Sequence, residues 1–227
     1  MKLVLTCEHA GNKIPVNFGH LFKDDKSVIH THKGYDPGAY DIYKALFPLA
    51  HFKAEHMMSR LLIEVNRSLH HSSLFSKYTR ELSPSEKNKI IGTYYLPYRD
   101  RVESAIHEFI AKGEEVLHLS VHSFTPQLQG DIRNADIGLL YDPAKAGEKG
   151  FSKKLKHYLK LNNPDLRVRF NYPYLGKSDG FTTYLRKKFP RNYSGIELEV
   201  NQKFVSGNKM EQGMKLFVLE ALQKILE

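Results

Sequence analysis

Short apolar runs that alternate with segments of helical period are what most limit the folds open to this chain. Residues 2–7, 61–65, 137–141, 166–170 and 196–200 read as strands, and Leu117, Leu119 and Val121 form another run that stops on His122. Between these runs, residues 38–50 place Ala39, Ile42, Tyr43, Leu46 and Ala50 on one helical face. Val102, Ala105, Ile106 and Phe109 mark a second helix within 99–112, and residues 151–161 suggest a third. Met210, Met214, Phe217, Val218, Ala221, Leu222 and Ile225 recur at helical spacing in the last segment. Helices interleaved with short strands imply a mostly parallel sheet covered on both faces, hence an α/β fold. Residues 68–98, with Ser72-Ser73, Pro84 and Gly92, carry no clear period and are expected to form a long loop with a short helix near the site. No repeat, low-complexity tract or linker divides the chain, so one domain over residues 1–227 is expected.

Composition removes several classes. No apolar run approaches the roughly 18–20 residues that span a bilayer. Met1-Lys2-Leu3-Val4-Leu5-Thr6-Cys7 has too short an apolar part for a lipoprotein signal and reads as the first strand. The single Cys7 rules out an intrachain disulfide and suits a reducing, cytoplasmic setting. The formal charge of +9 (34 basic minus 25 acidic residues) invites a nucleic-acid reading. The cations are scattered, however, as in Lys153-Lys154 and Arg186-Lys187-Lys188, and no nucleic-acid motif accompanies them. No nucleic acid and no membrane partner are therefore expected, and the excess of cations suits a small anionic substrate. Of the 12 histidines, most must be surface or packing residues, such as His70-His71.

Chemistry-bearing residues cluster at strand ends. The first strand runs into Glu8-His9-Ala10-Gly11-Asn12, the next into Asn66-Arg67, the middle one into His122-Ser123, and the late one carries Glu197 and Glu199. Ligands of open α/β sheets lie at the carboxyl ends of strands. Converging there, these residues would supply metal ligands, an anion clamp and a carboxylate base, which is the inventory of a metal-dependent hydrolase. The plainer alternative is that both histidines are polar residues at loop starts. Glu197 and Glu199 lie two apart, on one strand face, as a base near a metal or as charges of a solvated edge strand. The planar guanidinium of Arg67 suits a carboxylate, with Arg60 and Arg133 as further candidates.

Several blocks match a known family. Glu8-His9-Ala10-Gly11-Asn12 with Ile14-Pro15, His32-Lys33-Gly34-Tyr35-Asp36-Pro37-Gly38-Ala39, and Ser59-Arg60-Leu61-Leu62-Ile63-Glu64-Val65-Asn66-Arg67-Ser68 are three of them. Tyr95-Leu96-Pro97-Tyr98, Ser120-Val121-His122-Ser123-Phe124, Arg133-Asn134-Ala135-Asp136-Ile137-Gly138-Leu139 and Asn171-Tyr172-Pro173-Tyr174 complete the series. Together, in order from residue 8 to about 201, they resemble the N-formylglutamate amidohydrolase family, which is similar in turn to zinc carboxypeptidases. The resemblance implies a three-layer α/β/α, phosphorylase/hydrolase-like fold around a mostly parallel mixed sheet.

The resemblance also implies roles. Val121-His122-Ser123-Phe124 is similar to the strand that ends in a histidine ligand. Val65-Asn66-Arg67 resembles an Asn-Arg pair that grips a substrate carboxylate, and Ile196-Glu197-Leu198 the strand of the catalytic glutamate. Tyr184 is the tyrosine expected to stabilise the oxyanion. The departure lies at the first ligand pair, because Asn12 stands three residues after His9 where carboxypeptidases carry glutamate. Asp36 is the first candidate for the missing ligand, although Asp36-Pro37 also reads as a helix N-cap followed by proline. Glu8 is the second, ranked lower because strand alternation points it away from His9. The implied protein is an amidohydrolase with one zinc ion on His9, Asp36 and His122, and Glu197 as base. Its expected reaction cleaves N-formyl-L-glutamate to formate and L-glutamate, and a glutamate product has two carboxylates for arginines to hold. Two alternatives stay open: a deacylase or peptidase for another N-acyl amino acid or cell-wall peptide, and a non-catalytic anion-binding protein.

Overall fold

Ten strands and six helices follow one another along the computed structural model, which covers residues 1–227. The strands are β1 (Lys2–Cys7), β2 (Phe52–Glu55), β3 (Val116–Phe124), a small hairpin of β4 (Gln127–Leu128) and β5 (Asp131–Ile132), β6 (Ile137–Leu140), β7 (Val168–Phe170), β8 (Tyr193–Asn201), and a second hairpin of β9 (Val205–Ser206) and β10 (Lys209–Met210). The helices are α1 (Ala39–Ala45), α2 (Pro84–Ile90), α3 (Leu96–Ala111), α4 (Ala146–Asn162), α5 (Phe181–Lys188) and α6 (Gln212–Leu226). Six strands form the central sheet in the order β2-β1-β3-β8-β6-β7. Every neighbouring pair is parallel except β6 with β8. The expected α/β fold with a mostly parallel mixed sheet is what forms. No helix is long and apolar enough to cross a membrane.

Side-chain alternation divides the sheet into two unlike faces. Leu3, Leu5 and Cys7 of β1, Leu117, Leu119 and Val121 of β3, and Ile196, Leu198 and Val200 of β8 enter one apolar cluster with α1, α4 and α6. On the other face α2, α3 and α5 pack through Ile90, Val102, Ile106, Phe181 and Leu185. There the strands carry Thr6, His118, Ser120, His122 and Glu199, all buried, with Glu197 half-buried. A buried polar side chain needs a hydrogen-bond partner. Thr6 Oγ1 accordingly lies 2.8 Å from His118 Nε2, and His118 Nδ1 lies 2.7 Å from the Tyr193 hydroxyl. This polar row leads up to the carboxyl ends of the strands.

Three expectations change. Residues 61–65 form no strand. Leu62, Ile63 and Val65 are buried against α3, but their backbone bonds are local: Leu62 donates to Ser59, Glu64 to Leu74 and Arg67 to Glu64. The sheet position beside β1 belongs to β2, whose Phe52-Lys53-Ala54-Glu55 shows no apolar run because an edge strand is only partly covered. Third, the segment 68–98, expected to be a long loop with a short helix, is helical all the way from Pro84 to its end. Ser83 and Glu86 close a reciprocal capping box there. A π turn at Ile91–Tyr95 then joins α2 to α3 and places Pro97 in the first turn of α3, where its missing N–H is tolerated.

A buried ion pair ties the layers together beneath the site. Arg186 of α5 donates from Nε to Glu148 Oε1 (2.8 Å), from Nη1 to the Gly176 carbonyl (2.6 Å) and from Nη2 to the Gly195 carbonyl (2.7 Å). Glu148 also accepts the Gly195 and Asp142 N–H groups at 2.9 and 2.8 Å. Removing one partner of such a pair strands a buried charge, at a cost of about 3–5 kcal/mol. Glu148→Ala is expected to lose stability on that scale in urea unfolding, and a loss below about 1 kcal/mol would show the pair to be dispensable.

Candidate metal centre

Three buried groups meet where β1 and β3 end and the chain enters α1. Asp36 Oδ2 lies 3.1 Å from His9 Nδ1 and 3.0 Å from His122 Nδ1. One ligand atom from each of the three falls within 4.8 Å of the others. Asp36 does not cap α1. Gly38, at φ +79°, occupies that position, and Asp36 gives only its carbonyl to the Ala39 N–H. Its carboxylate is taken instead by the two imidazoles, by Arg60 Nη1 at 3.4 Å and by the Ser123 N–H at 3.4 Å.

Each imidazole is backed on its other nitrogen. Glu64 Oε1 lies 2.6 Å from His9 Nε2. Glu8 Oε2 lies 3.3 Å from His122 Nε2, and Ser120 Oγ, 2.8 Å from that nitrogen, donates to the same Glu8 oxygen at 2.5 Å. The Tyr98 hydroxyl fixes the other Glu8 oxygen at 2.9 Å. Glu8 thus stands behind His122 rather than among the converging atoms. A carboxylate on the distal imidazole nitrogen orients metal-binding histidines and raises their basicity.

Burial opposes charge on every group in the cluster, yet mutual contacts outweigh it for most. Hydrogen bonds to Asp36 and Glu8 hold His122 well above the ordinary imidazole range. Glu64 and Asp36 raise His9 against the pull of burial and Arg60. Glu8, Asp36 and Glu64 sit below the usual carboxylate range, against burial, through the histidines and, for Asp36 and Glu64, Arg60. Three ionised carboxylates around two imidazoles call for positive charge. A divalent cation supplies what protons otherwise would, so the residues fit one.

Glu199 differs. Burial, with Asp36 and Glu197 nearby, pushes its carboxyl up to about 7 despite His122, and its Oε2 is buried with no hydrogen-bond partner. Because the folded value exceeds the ordinary 4.5, protonation of Glu199 favours the folded state. That contribution is full below about pH 4.5 and is lost as pH rises through about 7. In metal-free protein, Glu199→Gln should therefore unfold at higher urea than wild type at about pH 8, by on the order of 3 kcal/mol, and match it in acid. A variant no more stable at the higher pH would contradict this.

A cavity of about 320 Å³ opens over the three groups and is lined also by Arg60, Asn66, Arg67, Arg133, Glu197 and Glu199. Arg60 is already engaged, giving Nε to Glu64 Oε2 at 2.7 Å besides its contact with Asp36. Asn66 Oδ1 accepts the Phe181 N–H at 2.8 Å, and Arg67 Nη1 donates to the Asp179 carbonyl. Glu197 Oε1 accepts the Thr182 hydroxyl at 2.7 Å. Gly180 permits this crowding, because a Cβ there would lie 3.3 Å from Glu197 Oε1 and 3.4 Å from Asn66 Oδ1. β8 is flanked by β3 and β6, so the two glutamates are not charges of an edge strand.

Tyr184 is not part of the cavity. It faces α3, where its hydroxyl donates to Glu103 at 2.7 Å and Arg99 lies 4.6 Å from the ring centre. Tyr174 lines the cavity instead, with His32 and Asp179. Sequence reasoning also passed over Glu64, whose Oε1 accepts the Asn66 N–H at 3.1 Å as well as meeting His9. A lone acid inside the apolar run Leu61–Val65 was the available signal.

The profile of the N-formylglutamate amidohydrolase family matches residues 1–206. No protein of curated function matches the chain significantly. A solved gene product from Agrobacterium tumefaciens superposes with a TM-score of 0.78 at 26% identity, over 100% of this chain and 92% of its own. The N-formylglutamate amidohydrolase from Ralstonia eutropha JMP134 gives 0.75 at 18% identity, over 100% and 93%. A metallo-carboxypeptidase from Burkholderia cenocepacia gives 0.39 at 11% identity, over 99% and 56%.

Proposed function

The chain belongs to the N-formylglutamate amidohydrolase family, and on that premise we propose that it hydrolyses the amide bond of N-formyl-L-glutamate to formate and L-glutamate. The observation that carries this reading is the convergence of His9, Asp36 and His122 in a cavity that also holds Glu197, Asn66 and Arg67.

His9, Asp36 and His122 would hold the cation, and two imidazoles with one carboxylate suit zinc. When bound, such an ion supplies Lewis-acid polarisation of water and of the amide carbonyl. Glu197, steadied by Thr182, takes the proton from the attacking water and returns it to the leaving nitrogen. Arg60, beside Asp36, meets the negative charge that develops on the carbonyl oxygen. Asn66 has its Oδ1 tied to the Phe181 N–H, which leaves its NH₂ group as a donor. Arg67 gives one nitrogen to the Asp179 carbonyl, and its remaining N–H groups can pair with the substrate α-carboxylate.

Formate release from N-formyl-L-glutamate by purified protein tests the proposal, with chelation and zinc restoration as a control. Turnover that stops on chelation and returns with zinc is the expected result. A protein that releases no formate, or is indifferent to chelation, would refute it.

A further inference from the structure

Three guanidinium groups line the cavity, and the structure separates their duties. Arg60 is occupied by Glu64 and Asp36. Arg67 and Arg133 make no ion pair; each is held by neutral oxygens, the Asp179 carbonyl for Arg67 and Thr125 Oγ1 at 3.2 Å for Arg133. Arg67 lies on the Asn66 side of the cavity, next to Asn66 in the chain and bonded to the carbonyl of Asp179, the residue before Gly180. Arg133 comes to the same lining from a different segment and different partners. It reaches the lining from the base of the β4–β5 hairpin, beside Thr125, which follows the strand of His122.

Arg133 is also rigidly presented. Its N–H donates to the Pro126 carbonyl at 2.8 Å, and its carbonyl accepts from Nδ2 of the buried Asn201 at 3.4 Å. The guanidinium lies 5.0 Å from the centre of the Tyr174 ring, so a ring from the 171–180 segment and the hydroxyl of Thr125, just after β3, both meet it. His32 lines the same cavity. An oriented, unpaired guanidinium in a cavity is a receptor for a carboxylate.

We infer that Arg133, braced by Tyr174 and Thr125, is the residue that reads the second negative charge of the substrate, so that selection for an acidic side chain is made there and not at Arg67. The inference rests on the hydrolytic reading above and deepens it. The enzyme would accept N-formyl amino acids through Asn66 and Arg67 generally, and would rank them by side-chain charge through Arg133.

The test compares metal-loaded wild type with Arg133→Gln and Arg133→Lys on N-formyl-L-glutamate and its neutral isostere N-formyl-L-glutamine, alongside calorimetric binding of L-glutamate. In Arg133→Gln, kcat/KM for formylglutamate is expected to fall about 30- to 100-fold, mainly through KM, and L-glutamate binding to weaken in parallel. Turnover of formylglutamine should stay within about 3-fold of wild type, which also reports that the variant is folded. Arg133→Lys keeps the charge but not the two-pronged geometry and should fall between. If Arg133→Gln keeps the wild-type preference for formylglutamate, or loses both substrates equally, the assignment is overturned while the hydrolytic reading stands. If wild type cleaves neither substrate, that reading fails and the subsite falls with it.

Discussion

Glu197→Gln is expected to lower kcat on N-formyl-L-glutamate by about a hundred- to ten-thousand-fold, the range that a positioned general base contributes. KM should change little, because Glu197 meets the Thr182 hydroxyl and not the arginines of the cavity. Glutamine keeps the shape and can still meet Thr182, so the loss isolates proton transfer from packing. Glu199→Gln supplies the contrast. Its Oε2 is buried with no hydrogen-bond partner, whereas Glu197 is held by Thr182, and glutamine keeps its shape. The second variant should keep kcat within about tenfold of wild type. If Glu199→Gln loses the activity and Glu197→Gln keeps it, the assignment of the base is reversed.

His122→Ala should abolish both cation binding and hydrolysis. It removes one of only three converging donors and also takes an imidazole partner from the buried carboxylates Glu8 and Asp36. Elemental analysis of purified protein should drop from about one cation per chain to background. Activity should not be rescued by excess zinc. Glu64→Gln is the milder test of the same centre: it keeps every proposed ligand but weakens the support behind His9, at an expected loss of about 10- to 100-fold in metal affinity. A His122→Ala protein that still holds one equivalent and turns over formylglutamate would place the centre elsewhere.

Much of this was legible in the chain because β3 and β8 carry strict alternation and because both candidate histidines follow apolar strands. His9, Asp36 and His122 were nameable together only through the family blocks, since nothing local distinguishes Asp36 from a helix cap. What escaped depends on partial burial and on tertiary hydrogen bonding. β2 is an edge strand with one buried residue, Ala54, and so leaves no apolar trace. Leu61–Val65 has a strand's composition, but its backbone partners are Ser59, Leu74 and its own neighbours. Pro84 and Gly92 read as loop punctuation, yet a capping box and a π turn absorb them into one helical rod. Only the family resemblance points to Tyr184, and α5 turns it toward Glu103, while Tyr174 lines the cavity.

The division of the sheet into unlike faces has a consequence for how the protein tolerates change. From Leu117 to His122 of β3 odd-numbered positions feed the apolar layer and even-numbered ones the polar row, whereas from Ile196 to Val200 of β8 the parity is reversed. A saturation scan read by growth and by abundance should therefore split along these strands like the teeth of a comb. Truncating Leu119 or Leu198 should deplete the protein itself, at about 2–5 kcal/mol each, and replacing the half-buried Glu197 by glutamine should leave its abundance and remove its work. Adjacent codons would then evolve under different masters, one answering to folding and the next to chemistry.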